Sequence, residues 1–111
     1  MKRVFFGILF ICCNFLFAHP ASKLMLTSEG TELEVIAFHS GSKSHFIYDV
    51  TVYLNEKVII KQTLKTQTSA KTQTLNYTIP SLKVDDVILV ETLCNKGGTK
   101  KGELVIKEKK D

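Results

Sequence analysis

The sequence is poor in the residues that stabilise many small domains. Its 111 residues include no Trp, two Pro and three Cys. A chain of this length holds one small domain, which excludes two-domain enzymes and Rossmann or TIM-barrel folds. Common catalytic motifs are missing too, since there is no G-x-S-x-G, H-E-x-x-H or C-x-x-C, and residues 96–102 (KGGTKKG) lack the spacing of a phosphate-binding loop. The composition, 44% hydrophobic and 23% charged, is nevertheless typical of a folded domain.

The amino terminus has the pattern of a secretory signal peptide. Lys2 and Arg3 form a short basic region, residues 4–17 are an apolar run, and Ala18 is a small residue of the kind that precedes a signal-peptidase cut. The run is shorter than the roughly 20 residues that a membrane-spanning helix needs. We therefore expect a signal peptide at 1–18, a mature domain at 19–111 and a periplasmic or secreted location. An uncleaved membrane anchor is the alternative.

Cleavage after Ala18 would change both the charge and the cysteine count. Without Lys2 and Arg3, thirteen basic and eleven acidic residues remain, so the pI of about 9.0 is weak evidence for a nucleic-acid partner, and export makes such a partner unexpected. The same cut removes Cys12 and Cys13, so the mature chain keeps one thiol and can form no disulfide within itself. That thiol, Cys94, can be protected by burial, by pairing with another molecule or by a metal, and burial is the simplest of the three.

Alternation of apolar and polar side chains predicts short β-strands along the whole mature chain. One strand shows it most clearly, because Phe46, Tyr48, Val50, Val52 and Leu54 are expected to share one face. Six or seven such strands without an amphipathic helix indicate an all-β fold, an immunoglobulin-like antiparallel β-sandwich of about seven strands, although the Cys-Trp-Cys signature of true immunoglobulin domains is absent. The segments are 31–38, 45–54, 57–64, 72–79, 86–93 and 103–107, with a polar connection at 65–71.

The histidines and the remaining cysteine lie at the ends of these strands. His39 ends one strand and His45 opens the next, so that two imidazoles at the ends of a short loop can converge on a metal. Cys94 follows a strand and enters a turn-prone sequence, from which a thiolate can reach a metal at the sheet edge. Each residue also has an ordinary interpretation, as a polar loop group or as a small buried hydrophobe. Their shared position at strand ends favours a metal site.

Two segments resemble the desulfoferrodoxin and superoxide reductase (neelaredoxin-like) family. Residues 39–47 (HSGSKSHFI) resemble the family's H-P-M-x-x-x-H-Y-I, and residues 94–98 (CNKGG) resemble its C-N-x-H-G. His19 precedes His39 by about the distance that separates the family's first two histidines. The resemblance implies a seven-strand immunoglobulin-like sandwich and a mononuclear ferrous iron (Fe2+) with four equatorial His nitrogens and one axial Cys thiolate. It also implies reduction of superoxide to hydrogen peroxide. Carried over, His19, His39 and His45 would be equatorial ligands, and Cys94 the axial one.

The sequence departs from the family's pattern at this site. Gly97 stands where the fourth His belongs, Ser40 replaces the Pro after the second His, and Ala18 stands where the family has a Lys that attracts superoxide. Lys43, within the loop between His39 and His45, is another source of positive charge. The resemblance thus indicates a divergent member that lacks one His ligand. We expect an external electron-donor protein, because this sequence resembles only the iron-binding domain and not the rubredoxin-like domain of some members.

The expected cut gives His19 a second role. As the first residue it would carry a free α-amine, and amine and Nδ1 can chelate one metal together, filling the place of the missing His. Such a set resembles the N-terminal histidine brace of copper enzymes, and the Irving–Williams order favours copper over ferrous iron at a nitrogen-rich site. Three functions therefore stay open: a superoxide reductase-like iron protein, a non-catalytic iron- or copper-binding module, and a β-sandwich carrier or interaction domain with incidental histidines. After cleavage no membrane partner is expected, and homo-oligomers stay open.

Overall fold

The computed structural model describes residues 20–108 as two antiparallel β-sheets. One sheet has the strand order β1-β2-β5 and the other β4-β3-β6-β7. This confirms the predicted all-β sandwich with seven strands. Within the described range no helix is long and apolar enough to cross a membrane. The strands are β1 (Lys23–Glu29), β2 (Glu32–Phe38), β3 (Ile47–Leu54), β4 (Lys57–Thr63), β5 (Thr72–Thr78), β6 (Val87–Cys94) and β7 (Thr99–Val105).

The core lies between the two sheets and follows the alternation of the sequence. On β2, Leu33, Val35 and Ala37 point into it and are almost fully buried. On the facing sheet Ile88 and Val90 of β6 are fully buried. Every second residue on strands of both sheets points inward, and these side chains pack together into one core.

The start of β3 differs from the prediction. The pairing of β3 with β6 shifts register between Ile47 and Asp49, and Ile47 is fully buried while Phe46 and Tyr48 are only half-buried. A one-residue irregularity moves every side chain before it to the other face. The expectation that Phe46 and Tyr48 share the inward face with Val50 was therefore wrong, whereas Val50 itself is buried as expected.

Strand β1 was missed from the sequence, and β7 begins four residues before the predicted start at 103. Only Leu24 and Leu26 of β1 pack against the core, while Met25 between them is exposed, so the alternation covers too few residues to be distinctive. The first half of β7 carries Lys100 and Lys101 and is defined by its pairing with β6 rather than by apolar side chains.

The topology brings three loops and the entry of the chain to one end of the sandwich. Strands β2, β4 and β6 run toward this end, and their antiparallel neighbours β1, β3, β5 and β7 start from it. Residues 39–46, 64–71 and 95–98 therefore lie at the same end as residues 20–22, where Ser22 N–H donates to the Phe38 carbonyl at 2.8 Å. We call this the loop end.

Candidate metal centre

His39, His45 and Cys94 converge at the loop end. One ligand atom of each lies within 4.8 Å of those of the other two. Donors that share a metal at bond lengths of about 2.0–2.3 Å lie roughly 3 to 4.4 Å apart, so the arrangement needs only small adjustments to hold an ion. His39 and Cys94 are 4% and 2% exposed, and His45 is half-buried. The wide separation expected of incidental histidines is not observed.

A tight turn brings the two imidazoles together. Ser42 N–H donates to the His45 carbonyl at 2.7 Å, and His45 N–H donates back to the Ser42 carbonyl at 3.2 Å. The chain thus reverses at Ser42–His45, between the end of β2 in one sheet and the start of β3 in the other. As a result the ring centroids of His39 and His45 lie 4.7 Å apart, with the ring planes at 79°.

Gly41 is required where the two imidazole-bearing segments meet. A Cβ at this position would lie 2.6 Å from the His45 carbonyl oxygen and 2.8 Å from Nε2 of Gln67. Both distances are too short for a carbon atom, so any side chain at position 41 would displace its neighbours. The Gly in HSGSKSH is therefore part of what holds His45 in place.

Cys94 ends β6 and opens a glycine turn. Gly97 N–H donates to the Cys94 carbonyl at 2.9 Å, and Cys94 N–H donates to the Gly98 carbonyl at 3.1 Å. Gly97 and Gly98 have φ angles of 106° and 101°, a region that side chains strongly disfavour. Gly97 is thus fitted to this turn's backbone, which gives a structural reason for a Gly where the resemblance called for a fourth His.

The turn also directs polar groups toward the sulfur. Lys96 N–H points at Cys94 Sγ with a nitrogen–sulfur distance of 3.4 Å. An amide hydrogen aimed at a thiolate offsets part of its negative charge, and the thiolate is the form of Cys that binds metals. The surroundings of Cys94 therefore suit a ligand better than they suit an inert apolar thiol.

Asn95 joins the cysteine turn to the histidine loop. Its Oδ1 accepts from Phe46 N–H at 3.0 Å, and its Nδ2 donates to the Ser44 carbonyl at 3.1 Å. Its own N–H donates to the Phe46 carbonyl at 3.0 Å. Since these partners flank His45, Asn95 fixes His45 relative to Cys94.

Gln67 was not foreseen as part of the site. It lies in the connection between β4 and β5, and its Oε1 is 2.8 Å from Nδ1 of His39. In the sequence it belongs to the predicted polar connection at 65–71, where nothing distinguishes it from the polar residues around it. Only the fold brings the connection against the end of β2.

Of the other two predicted site residues, only Lys43 lies within the described part of the chain. His19 lies outside the described residues, as does the predicted signal peptide. Its chain neighbour Pro20 lies against the cysteine turn, since a Cβ on Gly98 would be 2.7 Å from the Pro20 nitrogen. Lys43 is exposed at the tip of the Ser42–His45 turn, where it lines a groove of about 450 Å³ together with Gln67 and other residues of the 66–70 segment.

The donor set fits a soft or borderline transition metal. Imidazole nitrogen suits iron, copper and zinc, and thiolate sulfur favours copper(I), zinc and iron–sulfur centres. Two imidazoles and one thiolate, with the thiolate and one imidazole almost fully buried, form a set unlike the oxygen ligands that calcium and magnesium prefer.

Comparison with known proteins finds similar solved structures but no matching family model or curated sequence. Two structures of the superoxide reductase (neelaredoxin) from Ignicoccus hospitalis are similar to it. The first has a TM-score of 0.58 and 13% identity over 78% of this chain and 80% of that one. The second has a TM-score of 0.57 and 14% identity over 86% and 84%. The chain therefore has a fold similar to that of superoxide reductase, with a His/His/Cys cluster at one end of it.

Proposed function

We propose that this chain is an exported iron protein that reduces superoxide to hydrogen peroxide. The observation that carries the proposal is the convergence of His39, His45 and Cys94 at the loop end of a fold similar to superoxide reductase. The fold supports the relationship and the donor set supports the metal. The proposal of export rests on the sequence pattern at residues 1–18.

In this proposal the chain's own residues hold the metal and shape its surroundings. His39 and His45 supply nitrogen donors, and Cys94 supplies a thiolate that the Lys96 amide helps to stabilise. Ferrous iron at this site would supply one electron to superoxide, which takes up two protons from water to give hydrogen peroxide. An external donor protein then returns the electron.

In this proposal, the start of the mature chain provides the remaining metal ligands. The entry of the chain at residues 20–22 lies at the loop end, and Pro20 packs against Gly98 of the cysteine turn. We propose that His19, through its imidazole and, after cleavage, its α-amine, supplies the donors that Gly97 cannot. The glycine backbone at position 97 supports this division of roles.

Lysines at the loop end suit an anionic substrate. Lys43 and Lys96 are both exposed there, one in the histidine turn and one in the cysteine turn. Positive charge around a site raises the local concentration of a small anion and its association rate, in a way that salt suppresses. We assign Lys43 this attracting role.

Copper or iron binding without catalysis is the second candidate. The donor set brought together in residues 20–108 is two imidazoles and one thiolate. Trigonal His2Cys sets of this kind are found in copper electron-transfer sites. A copper carrier would bind the metal through the same three residues and would not reduce superoxide.

Metal content, optical spectra and superoxide consumption test the proposal in one preparation. The protein, expressed from its whole sequence and processed by the host, is expected to hold one iron per chain with a thiolate-to-iron charge-transfer band. The reduced form should convert one superoxide to one peroxide per iron. Cys94→Ser should lose the band, whereas Ser44→Ala, an exposed change beside His45, should keep it. Copper bound in preference to iron, without superoxide consumption, would establish the second candidate instead.

A further inference from the structure

We propose that Gln67 is a positioning residue that fixes the tautomer of His39, so that its Nε2 faces the metal. The role at the metal rests on the proposed function, but the tautomer itself is a property of the metal-free chain. The Gln67 side chain makes four hydrogen bonds that determine this tautomer.

Backbone partners decide which way the Gln67 amide points. Its Oε1 lies 3.1 Å from the backbone nitrogen of Ile47, a group that can only donate. Its Nε2 lies 2.7 Å from the carbonyl oxygen of His39 and 2.9 Å from that of Ser69, groups that can only accept. A flipped amide would set N–H against N–H and oxygen against two oxygens. The Oε1 atom is therefore the one that faces His39.

An acceptor at that position determines which nitrogen of the His39 ring carries the hydrogen. Nδ1 of His39 is 2.8 Å from Oε1, so Nδ1 must carry the hydrogen and donate it. A neutral imidazole has one N–H, and its other nitrogen holds the lone pair. Nε2 is thus the metal-binding atom of His39. Histidine ligands in general donate their second ring N–H to a neighbouring acceptor, which orients the ring.

The same side chain ties three segments of the loop end together. Through Gln67 the connection between β4 and β5 is bonded to the end of β2 at His39 and to the start of β3 at Ile47. Gly41 leaves the space that this amide occupies, because a Cβ there would lie within 3.0 Å of both amide atoms. Gln67 fits tightly against the ring nitrogen of His39 that does not bind the metal. We therefore expect it to affect metal affinity without contacting the metal itself.

Nitrogen-15 NMR of the imidazoles tests the tautomer directly. The chain is expressed from its whole sequence, stripped of metal and measured at alkaline pH, where imidazoles are neutral. His39 should show the Nδ1–H tautomer in the natural protein. Gln67→Glu keeps the acceptor and should retain it, although it loses both donations to carbonyls. Gln67→Leu removes the acceptor and should shift His39 toward the Nε2–H form.

Gln73→Leu is the matched control. Gln73 is a buried glutamine that holds the same connection as the half-buried Gln67, with bonds to Thr66 and Thr68 at 2.8 Å and 3.0 Å. Its loss should lower stability while leaving the His39 tautomer unchanged. In a titration with Co²⁺ alone, Gln67→Leu should bind the ion about 10- to 100-fold more weakly than the natural protein does. This is the usual loss of metal affinity when a hydrogen-bond partner of a histidine ligand is removed. Gln73→Leu should lose much less.

The outcomes separate this inference from the proposed function. An Nε2–H tautomer for His39 in the natural protein overturns the inference, whatever metal is bound. An equal loss of Co²⁺ affinity in Gln67→Leu and Gln73→Leu overturns the positioning role, since both would then act through stability alone. The Nδ1–H tautomer in a chain that binds no metal would uphold the assignment of the proton and refute the proposed function.

Discussion

Replacing Asn95 by Ala should loosen the metal site while leaving the sandwich folded. The change removes the bond that Phe46 N–H donates to Oδ1 and the bond that Nδ2 donates to Ser44. Single hydrogen bonds contribute about 0.5–1.5 kcal/mol, and Asn95 is exposed, so we expect a loss of about 1–2 kcal/mol in the free energy of unfolding. For a domain of this size that corresponds to a decrease in Tm of roughly 4–16 °C.

The same substitution should weaken metal binding, because the segment that carries His45 would no longer be bonded to the turn that follows Cys94. Asn76→Ala is the matched control, since Asn76 is an exposed Asn on β5, a strand of the other sheet. Thermal unfolding and a Co²⁺ titration of both variants provide the comparison. Equal Tm and equal affinity in the two variants would refute the view that Asn95 couples the histidine loop to the cysteine turn.

Three further predictions concern the sandwich itself. Ile88→Ala should cost about 2–5 kcal/mol of unfolding free energy in a denaturant titration, because Ile88 is fully buried, while Ile59→Ala, at a side chain 40% exposed, should cost far less. Burial raises the pKa of Tyr77 to about 12, so part of the stability should be lost as the pH rises from about 10 to 12, and Tyr77→Phe should flatten this alkaline decline. The hydrogen bond from Asn55 lowers the pKa of Asp86, so the stability that this carboxylate contributes is present above its ordinary pKa near 3.8 and is lost as the pH falls through the lowered value. Asp86→Asn should therefore be less stable at neutral pH and show a shallower acid decline in an unfolding titration.

The fold could be read from the sequence because burial on both sheets obeys the period of a strand. Leu33, Val35 and Ala37 show this without exception. The pattern failed where the pairing itself, rather than side-chain polarity, defines the structure. The irregularity beside Ile47 reverses the faces before it, and β1 has too few apolar residues to stand out.

The candidate site was foreseen only in part. His39, His45 and Cys94 are near the ends of strands, so antiparallel pairing could be expected to bring them together, as it does. Gln67 comes from a polar connection whose position depends on which strands become neighbours across the sandwich. Nor can the sequence alone say that position 97 adopts a φ of 106°.

X-ray absorption spectroscopy of the metal-loaded protein tests the central claim most directly. If His39, His45 and Cys94 hold one ion, the spectrum should contain a single sulfur scatterer at about 2.3 Å together with nitrogen scatterers at about 2.0–2.1 Å. The sulfur scatterer should disappear in Cys94→Ser. A first shell of nitrogen and oxygen alone in the natural protein, or a sulfur scatterer that survives in Cys94→Ser, would contradict the account.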